Sequence, residues 1–286
     1  MIKNDNYMPV FLRNPLMILL ALEAVAIVLC AHELMRLPDG HMHVAFLDVG
    51  QGDSTLVTTP SGKRIIVDGG PDMSLLHHLG ERLPLFDRRI DLLIMSHPQL
   101  DHMAAFPEVL RRYQVGHVLM TGVNYKLAQY REFLDLMKEQ HIPLWLADPS
   151  QDIDFGDGTV IDVAWPRPGL FGKDFGDDVN NSSVVVRIME GSGAVLFTGD
   201  MEEKEERAVL ASGADIAATV LKVGHHGSKT SSGTGFLLAV HPSLASISCA
   251  KVNHYGHPSK SVIERFRMLG IPTHVTGWEG TVEAGW

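Results

Sequence analysis

Two histidines and an aspartate fall within six residues in Ser96-His97-Pro98-Gln99-Leu100-Asp101-His102. Imidazole nitrogen and carboxylate oxygen at this spacing suit Zn²⁺, or a harder ion such as Mn²⁺. The other role open to Asp101 is to cap a helix expected to begin near Met103. Two further segments end in the same residue types. Ala194–Phe197 leads into Thr198-Gly199-Asp200, and Val220–Val223 leads into Gly224-His225-His226-Gly227-Ser228-Lys229. Asp200 can bridge two cations with its two oxygens, and His225 can complete the ligand set, with His226 beside it as a supporting or packing residue. A pair of divalent ions about 3.5–4 Å apart polarises a phosphoryl oxygen and activates water. Gly227 allows close backbone approach, while Ser228 and Lys229 are expected to meet an anion. His257, between Gly256 and Pro258, is expected to protonate a leaving oxygen or hold a phosphate; the competing role is a rigid turn. Asp101 and His257 are therefore the candidate catalytic side chains.

These residues need strands to hold them. Ile90–Met95 is a short apolar run of the kind that forms a buried strand, and the first motif leaves its end. Met42–Val49 alternates in the same sense and runs into Asp48-Val49-Gly50-Gln51-Gly52-Asp53-Ser54. Arg64–Val67 ends at Asp68-Gly69-Gly70. Asp48, Asp53 and Asp68 thus stand at strand ends, where an aspartate can orient a ligating histidine or simply cap a turn. Helices are expected over Met73–Arg82, Phe106–Tyr113, Ala128–Gln140, Glu202–Ala211, Phe236–Val240 and Ser261–Leu269. Strands are expected over His117–Met120, Pro143–Leu146, Val184–Ile188, Leu244–Ser248 and Thr273–Thr276. Arg167–Asp178 reads as a long surface loop beside the site. Strands and helices alternating through short connections indicate a layered α/β domain.

The chain has 286 residues, 45% of them hydrophobic, enough for a sizeable core. Its net charge of -10 argues against a broad basic face for nucleic acid, although bound cations and a local basic strip can serve instead. Two cysteines, Cys30 and Cys249, give no disulfide framework. Pro15–Ala31 is apolar except for Glu23 and spans roughly 25 Å as a helix. With Lys3 and Arg13 before it, it reads as an uncleaved single-pass anchor in the cytoplasmic membrane, with the remaining chain extracytoplasmic. The alternative is a helix packed on the domain surface. The expected division is an anchor segment over residues 1–40 and a hydrolase domain over residues 41–286.

Seven motifs in order, from Asp48-Val49-Gly50-Gln51-Gly52-Asp53-Ser54 through Val67-Asp68-Gly69-Gly70, Ser96-His97-Pro98 with Asp101-His102, Asn180-Asn181-Ser182-Ser183, Thr198-Gly199-Asp200 and Lys222–Ser231 to Tyr255-Gly256-His257-Pro258, resemble the metallo-β-lactamase-like domain of ComEC-type competence DNA-uptake proteins. The resemblance covers about Met42 to Thr276. It implies a four-layer αββα sandwich with a metal site at one edge of the sheets. It also implies a divalent-metal phosphodiesterase that degrades DNA, with Mn²⁺ or Zn²⁺ as the ion. It assigns His97, Asp101, His102, Asp200 and His225 to the metal; Asp68, Asn181 and His226 are expected around them. Gln99 departs from the family pattern, which has His or Asp there, and Asn181 lies near where many relatives supply another His. One tight and one loose or absent metal is the expectation. ComEC-type proteins carry a many-helix channel ahead of this domain, whereas one candidate span precedes it here; the two readings are a stand-alone relative, with a separate channel protein as partner, and a fragment of a longer protein.

The leading reading is a membrane-tethered, metal-dependent nuclease linked to DNA uptake. A small-molecule metallo-hydrolase on the same fold and a catalytically weakened DNA-binding module compete with it.

Overall fold

Period-two alternation builds two sheets that face each other. The computed structural model describes residues 14–286. The first sheet holds β1 (His43–Phe46), β2 (Thr55–Thr58), β3 (Arg64–Val67), β4 (Arg89–Ile94), β5 (Gln114–Met120) and β6 (Leu144–Leu146). The second holds β7 (Ile153–Asp154), β8 (Thr159–Trp165), β9 (Val185–Glu190), β10 (Gly193–Phe197), β11 (Val220–Lys222), β12 (Leu244–Ile247) and β13 (Thr273–Val275). A last strand, β14 (Val282–Gly285), returns to the first sheet and pairs antiparallel with β1. The spatial orders are β14-β1-β2-β3-β4-β5-β6 and β13-β12-β11-β10-β9-β8-β7.

Side chains sort by face. Phe46, Ile65, Val67, Leu92 and Ile94 point between the sheets and meet Ile161, Val186, Ile188, Val195 and Phe197. The rings of Phe46 and Phe197 lie 6.1 Å apart across that layer. Their strand neighbours Ile66 and Leu93 point outward, under α2 (Ser74–Arg82), α4 (Phe106–Arg112) and α5 (Ala128–Glu139). Leu196, Leu221 and Ala245 likewise lie under α6 (Glu203–Ser212), α7 (Thr234–Val240) and α8 (Lys260–Met268). The remaining α-helices among the described residues are α1 (Pro15–Leu34), the one-turn α3 (Leu100–Met103) and α9 (Thr276–Glu279). This is the four-layer αββα sandwich expected from the motifs. β1 is shorter than the expected Met42–Val49 strand, because Asp48 turns the chain and its carboxylate accepts from Gly50 N at 3.4 Å.

The topology decides where the chemistry sits. β3 and β4 are adjacent and parallel, as are β10 and β11. All four run their carboxyl ends to one edge, which brings the loops after Val67, Ile94, Phe197 and Lys222 together.

The expected membrane anchor is corrected by the structure. Among the described residues no helix is long and apolar enough to cross a membrane. The apolar part of α1 falls short of the roughly 30 Å hydrocarbon core, and Glu23 interrupts it. The end of α1 is instead tied to the domain. Glu33 accepts from Leu85 N at 2.8 Å, and Arg36 donates to Leu83 O at 2.9 Å and to Glu81 O. Lys3 and Arg13, on which the orientation rested, lie outside the described residues.

Gly199 joins β10 to Asp200 at φ +51°, where an added Cβ meets Ser96 Cβ at 2.7 Å and Ser183 Oγ at 2.8 Å. Gly199→Ala is therefore expected to lose about 1–2 kcal/mol to the left-handed backbone and about 1–3 kcal/mol more to overpacking. Chemical denaturation measures this; an unchanged midpoint contradicts it.

Candidate metal centre

His102 lies in α3 and is fully buried. Its Nδ1 donates to Asp68 Oδ2 at 2.9 Å. Asp68, held at φ 62°, also accepts from Ser96 N at 2.8 Å and Ser96 Oγ at 2.7 Å. With Nδ1 protonated, the lone pair sits on Nε2, which faces Asp200 Oδ1 at 3.3 Å and Asp101 Oδ2 at 3.9 Å. His226 is arranged in the same way. Its Nδ1 donates to Ser248 O at 2.9 Å and lies 3.1 Å from Asp53 Oδ1. Its Nε2 faces Asp101 Oδ2 at 3.3 Å and Asp200 Oδ2 at 3.4 Å.

One ligand-type atom from each of Asp101, His102, Asp200 and His226 lies within 4.8 Å of all the others. Nε2 of both histidines and Oδ1 of Asp200 are buried without a hydrogen-bond partner. Orphaned buried polar atoms are costly, and a cation between them satisfies all at once. Two nitrogens and two carboxylates, with each imidazole fixed through its other nitrogen, fit Zn²⁺ and also accept Mn²⁺.

The electrostatics agree. Burial raises the Asp200 carboxyl, but His226 and His102 outweigh it and hold the group well below the usual range. Burial opposes charge on His102 and His226, yet Asp200 and the neighbouring carboxylates push both well above the usual histidine value. Asp101 falls to about 2, with His102 and His226 overcoming burial. Without metal, imidazolium protons offset the carboxylates.

Residues 47–243 match the metallo-beta-lactamase superfamily. The chain belongs to that superfamily. Its members are typically metal-dependent hydrolases. It is similar to ComE operon protein 3 of Bacillus subtilis (strain 168), at 28% identity over 259 residues, covering 84% of this chain and 32% of that protein. It is also similar to competence protein ComA of Neisseria gonorrhoeae, at 30% identity over 250 residues, covering 87% and 33%. The chain thus spans about a third of the length of these curated relatives. Among solved structures, the metallo-beta-lactamase fold protein YhfI from Bacillus subtilis superposes with a TM-score of 0.57 at 14% identity, covering 85% of this chain and 100% of that one. The resemblance to ComEC-type domains read from the motifs holds.

Within this metallo-beta-lactamase domain the two adjacent histidines exchange the roles expected of them. His226, not His225, joins the four. Both adopt left-handed backbone, with φ 48° and 51°, and the double turn aims the second ring inward. His225 Nε2 stays 3.9 Å from Asp200 Oδ2, and its Nδ1 lies 3.3 Å from Glu202 Oε1. His97 is buried against the group, its ring 4.2 Å from that of His102, but lies outside the four. Its Nδ1 lies 3.0 Å from Ser96 Oγ and its Nε2 3.3 Å from Gln99 Oε1. Burial, followed by the charge of His102, lowers its pKa to about 4.

Ser228 and Lys229 are not brought to the site. Ser228 is buried, with Oγ 3.0 Å from Thr230 Oγ1, and Lys229 is exposed. Asn180 rather than Asn181 reaches the site, its Nδ2 3.4 Å from His225 Nε2. A cavity of about 560 Å³ opens over the centre, lined by Gln51, Gln99, Asn180, His225, Tyr255 and His257 together with Asp101, Asp200 and His226. His257 stands here, lowered to about 4 by burial and then by His226 and His225. Its ring borders the cavity beside His225, 5.6 Å away between ring centres, within reach of a group bound there. Sequence reasoning missed Lys222 and left Asp53 as an undecided turn residue; the strand-end position of Asp53 was its only signal.

Metal ligation requires neutral His102 and His226, whose protons are held tightly in the metal-free protein. Divalent-ion affinity is thus expected to rise with pH through neutrality and continue rising above it, with one to two protons released per ion. Calorimetry in buffers of different ionisation enthalpy measures this, with about one ion per chain; affinity independent of pH contradicts it.

Proposed function

We propose that this domain is a divalent-metal-dependent phosphodiesterase acting on DNA. The observation that supports this reading most is the group of Asp101, His102, Asp200 and His226 at the floor of an open cavity, in a chain similar to proteins named for competence. A divalent cation there supplies Lewis acidity toward a phosphoryl oxygen and a water. The chain's own residues do the rest. His102 and His226 present Nε2 in fixed tautomers. Asp101 and Asp200 face those nitrogens, and Asp101, the more exposed of the two, also borders the cavity. His257 offers its ring to a leaving oxygen, and Asn180 and Gln99 offer amides to a bound ester. Zn²⁺ and Mn²⁺ are the candidate ions, with one tight site at these four residues. The second site expected around His97 is weakened because the Gln99 amide faces His97 Nε2. A separate uptake channel as partner rests on the resemblance alone.

One observation favours a second reading. Among the described residues no lysine or arginine lines the cavity, whereas a bound polyanion normally meets several. A small ester or a single nucleotide fits such a cavity without them.

Assays on the full chain separate the readings. Linear DNA should be cut with Mn²⁺ or Zn²⁺, and EDTA should stop the reaction. His226→Ala should lower activity by more than the roughly 10–100-fold typical of losing an outer partner, whereas His225→Ala should retain metal binding. Cleavage of a small phosphodiester but not of DNA selects the second reading. DNA retention without cleavage in either metal selects a binding module.

A further inference from the structure

Lys222, the last residue of β11, is 2% exposed. A lysine this deep is tolerated only with a partner. Its Nζ lies 2.5 Å from Asp53 Oδ2 and donates to Val223 O at 2.8 Å. Asp53 is buried as well, with Oδ1 3.1 Å from His226 Nδ1 and Oδ2 3.9 Å from His102 Nδ1. Asp53, Asp68 and His102 form a second group whose ligand-type atoms lie within 4.8 Å of one another. That lower group is the one the lysine ammonium touches.

We propose that Lys222 is the built-in cation of this lower layer, a positioning residue that acts on the metal centre through Asp53. This inference rests on the metal reading of the upper group. Asp53, Asp68, Asp101 and Asp200 gather around two imidazoles. One divalent ion offsets two of those four charges, and Lys222 offsets a third. With its charge balanced by Lys222, Asp53 can hold His226 with Nδ1 inward and Nε2 toward the centre. The upper site is thereby assembled before an ion arrives. The ammonium also repels a second divalent ion from the lower group, which leaves that group a lysine site.

A double-mutant cycle on the full chain tests this. Wild type, Lys222→Met, Asp53→Asn and the double variant are stripped with chelator and melted with and without added Zn²⁺. Removing one partner of a buried ion pair strands the other, so metal-free Lys222→Met should melt roughly 10 °C below wild type. Zn²⁺ should raise its Tm by less than it raises wild type, because the site is no longer assembled before the ion binds. The double variant should recover more than half of the loss, because the neutral amide that Asp53→Asn introduces needs no counter-charge, while His226 Nδ1 keeps its bond to Ser248 O. A role in packing alone predicts additive losses and an unchanged Zn²⁺ increment. A metal-free Lys222→Met within about 2 °C of wild type overturns the proposal, as does a double variant no better than Lys222→Met. If Lys222→Met does not fold without metal, a folded double variant supports the proposal and an unfolded one overturns it. Absence of any Zn²⁺ effect on wild type counts against the metal reading, and the metal-free cycle still decides the role of the lysine.

Discussion

Like charges brought together away from water must be offset by something positive, and this constraint governs the edge where the two sheets meet. Asp53, Asp68 and Asp200 are almost completely buried, and Asp101 sits at their rim. Their partners are His102, His226 and Lys222, each buried too. Every imidazole in this set is anchored through one nitrogen and leaves the other facing carboxylates with no hydrogen bond. Such an arrangement is poor as a purely structural network, where half-satisfied groups are costly. It makes sense as a cradle for a cation.

The sandwich supplies the cradle through topology. Two parallel strand pairs, one in each sheet, end side by side. Ligands therefore come from loops far apart in sequence but fixed by strands on both sides. Backbone bonds between the loops add rigidity: Asp53 N donates to Asp101 O at 3.1 Å and Gly69 N to His102 O at 2.5 Å. Gly52 permits this crossing, since a Cβ there would collide with Asp101 O. Strained left-handed residues at Asp68, His225 and His226 concentrate at the same edge, as is common at functional sites.

Much of this was legible in the chain. The alternation of apolar residues marked most strands, and the residues following them marked Asp68, Asp101, His102 and Asp200. Other features were hidden for physical reasons. His225 and His226 are chemically identical neighbours, and only the handedness of two consecutive residues decides which ring enters. Lys222 reads as a polar residue at a strand end until the second sheet brings Asp53 to it. β14 is too short to announce itself and exists because β1 offers it an edge. Ser228 and Lys229 looked suited to an anion, but the turn after His226 directs Ser228 to Thr230. The apolar N-terminal run read as an anchor; α1 is instead held at its end by Glu33 and Arg36 against the 81–85 loop.

The centre thus joins a charge-balanced floor to an open cavity in a metallo-beta-lactamase domain. The most direct test is anomalous diffraction from crystals of the full chain grown with Zn²⁺ or Mn²⁺. The account predicts one strong peak enclosed by Nε2 of His102 and His226 and the carboxylates of Asp101 and Asp200, with none between Asp53 and Asp68. A main peak at His97 and Gln99 or at His225, or no peak among the four, contradicts it.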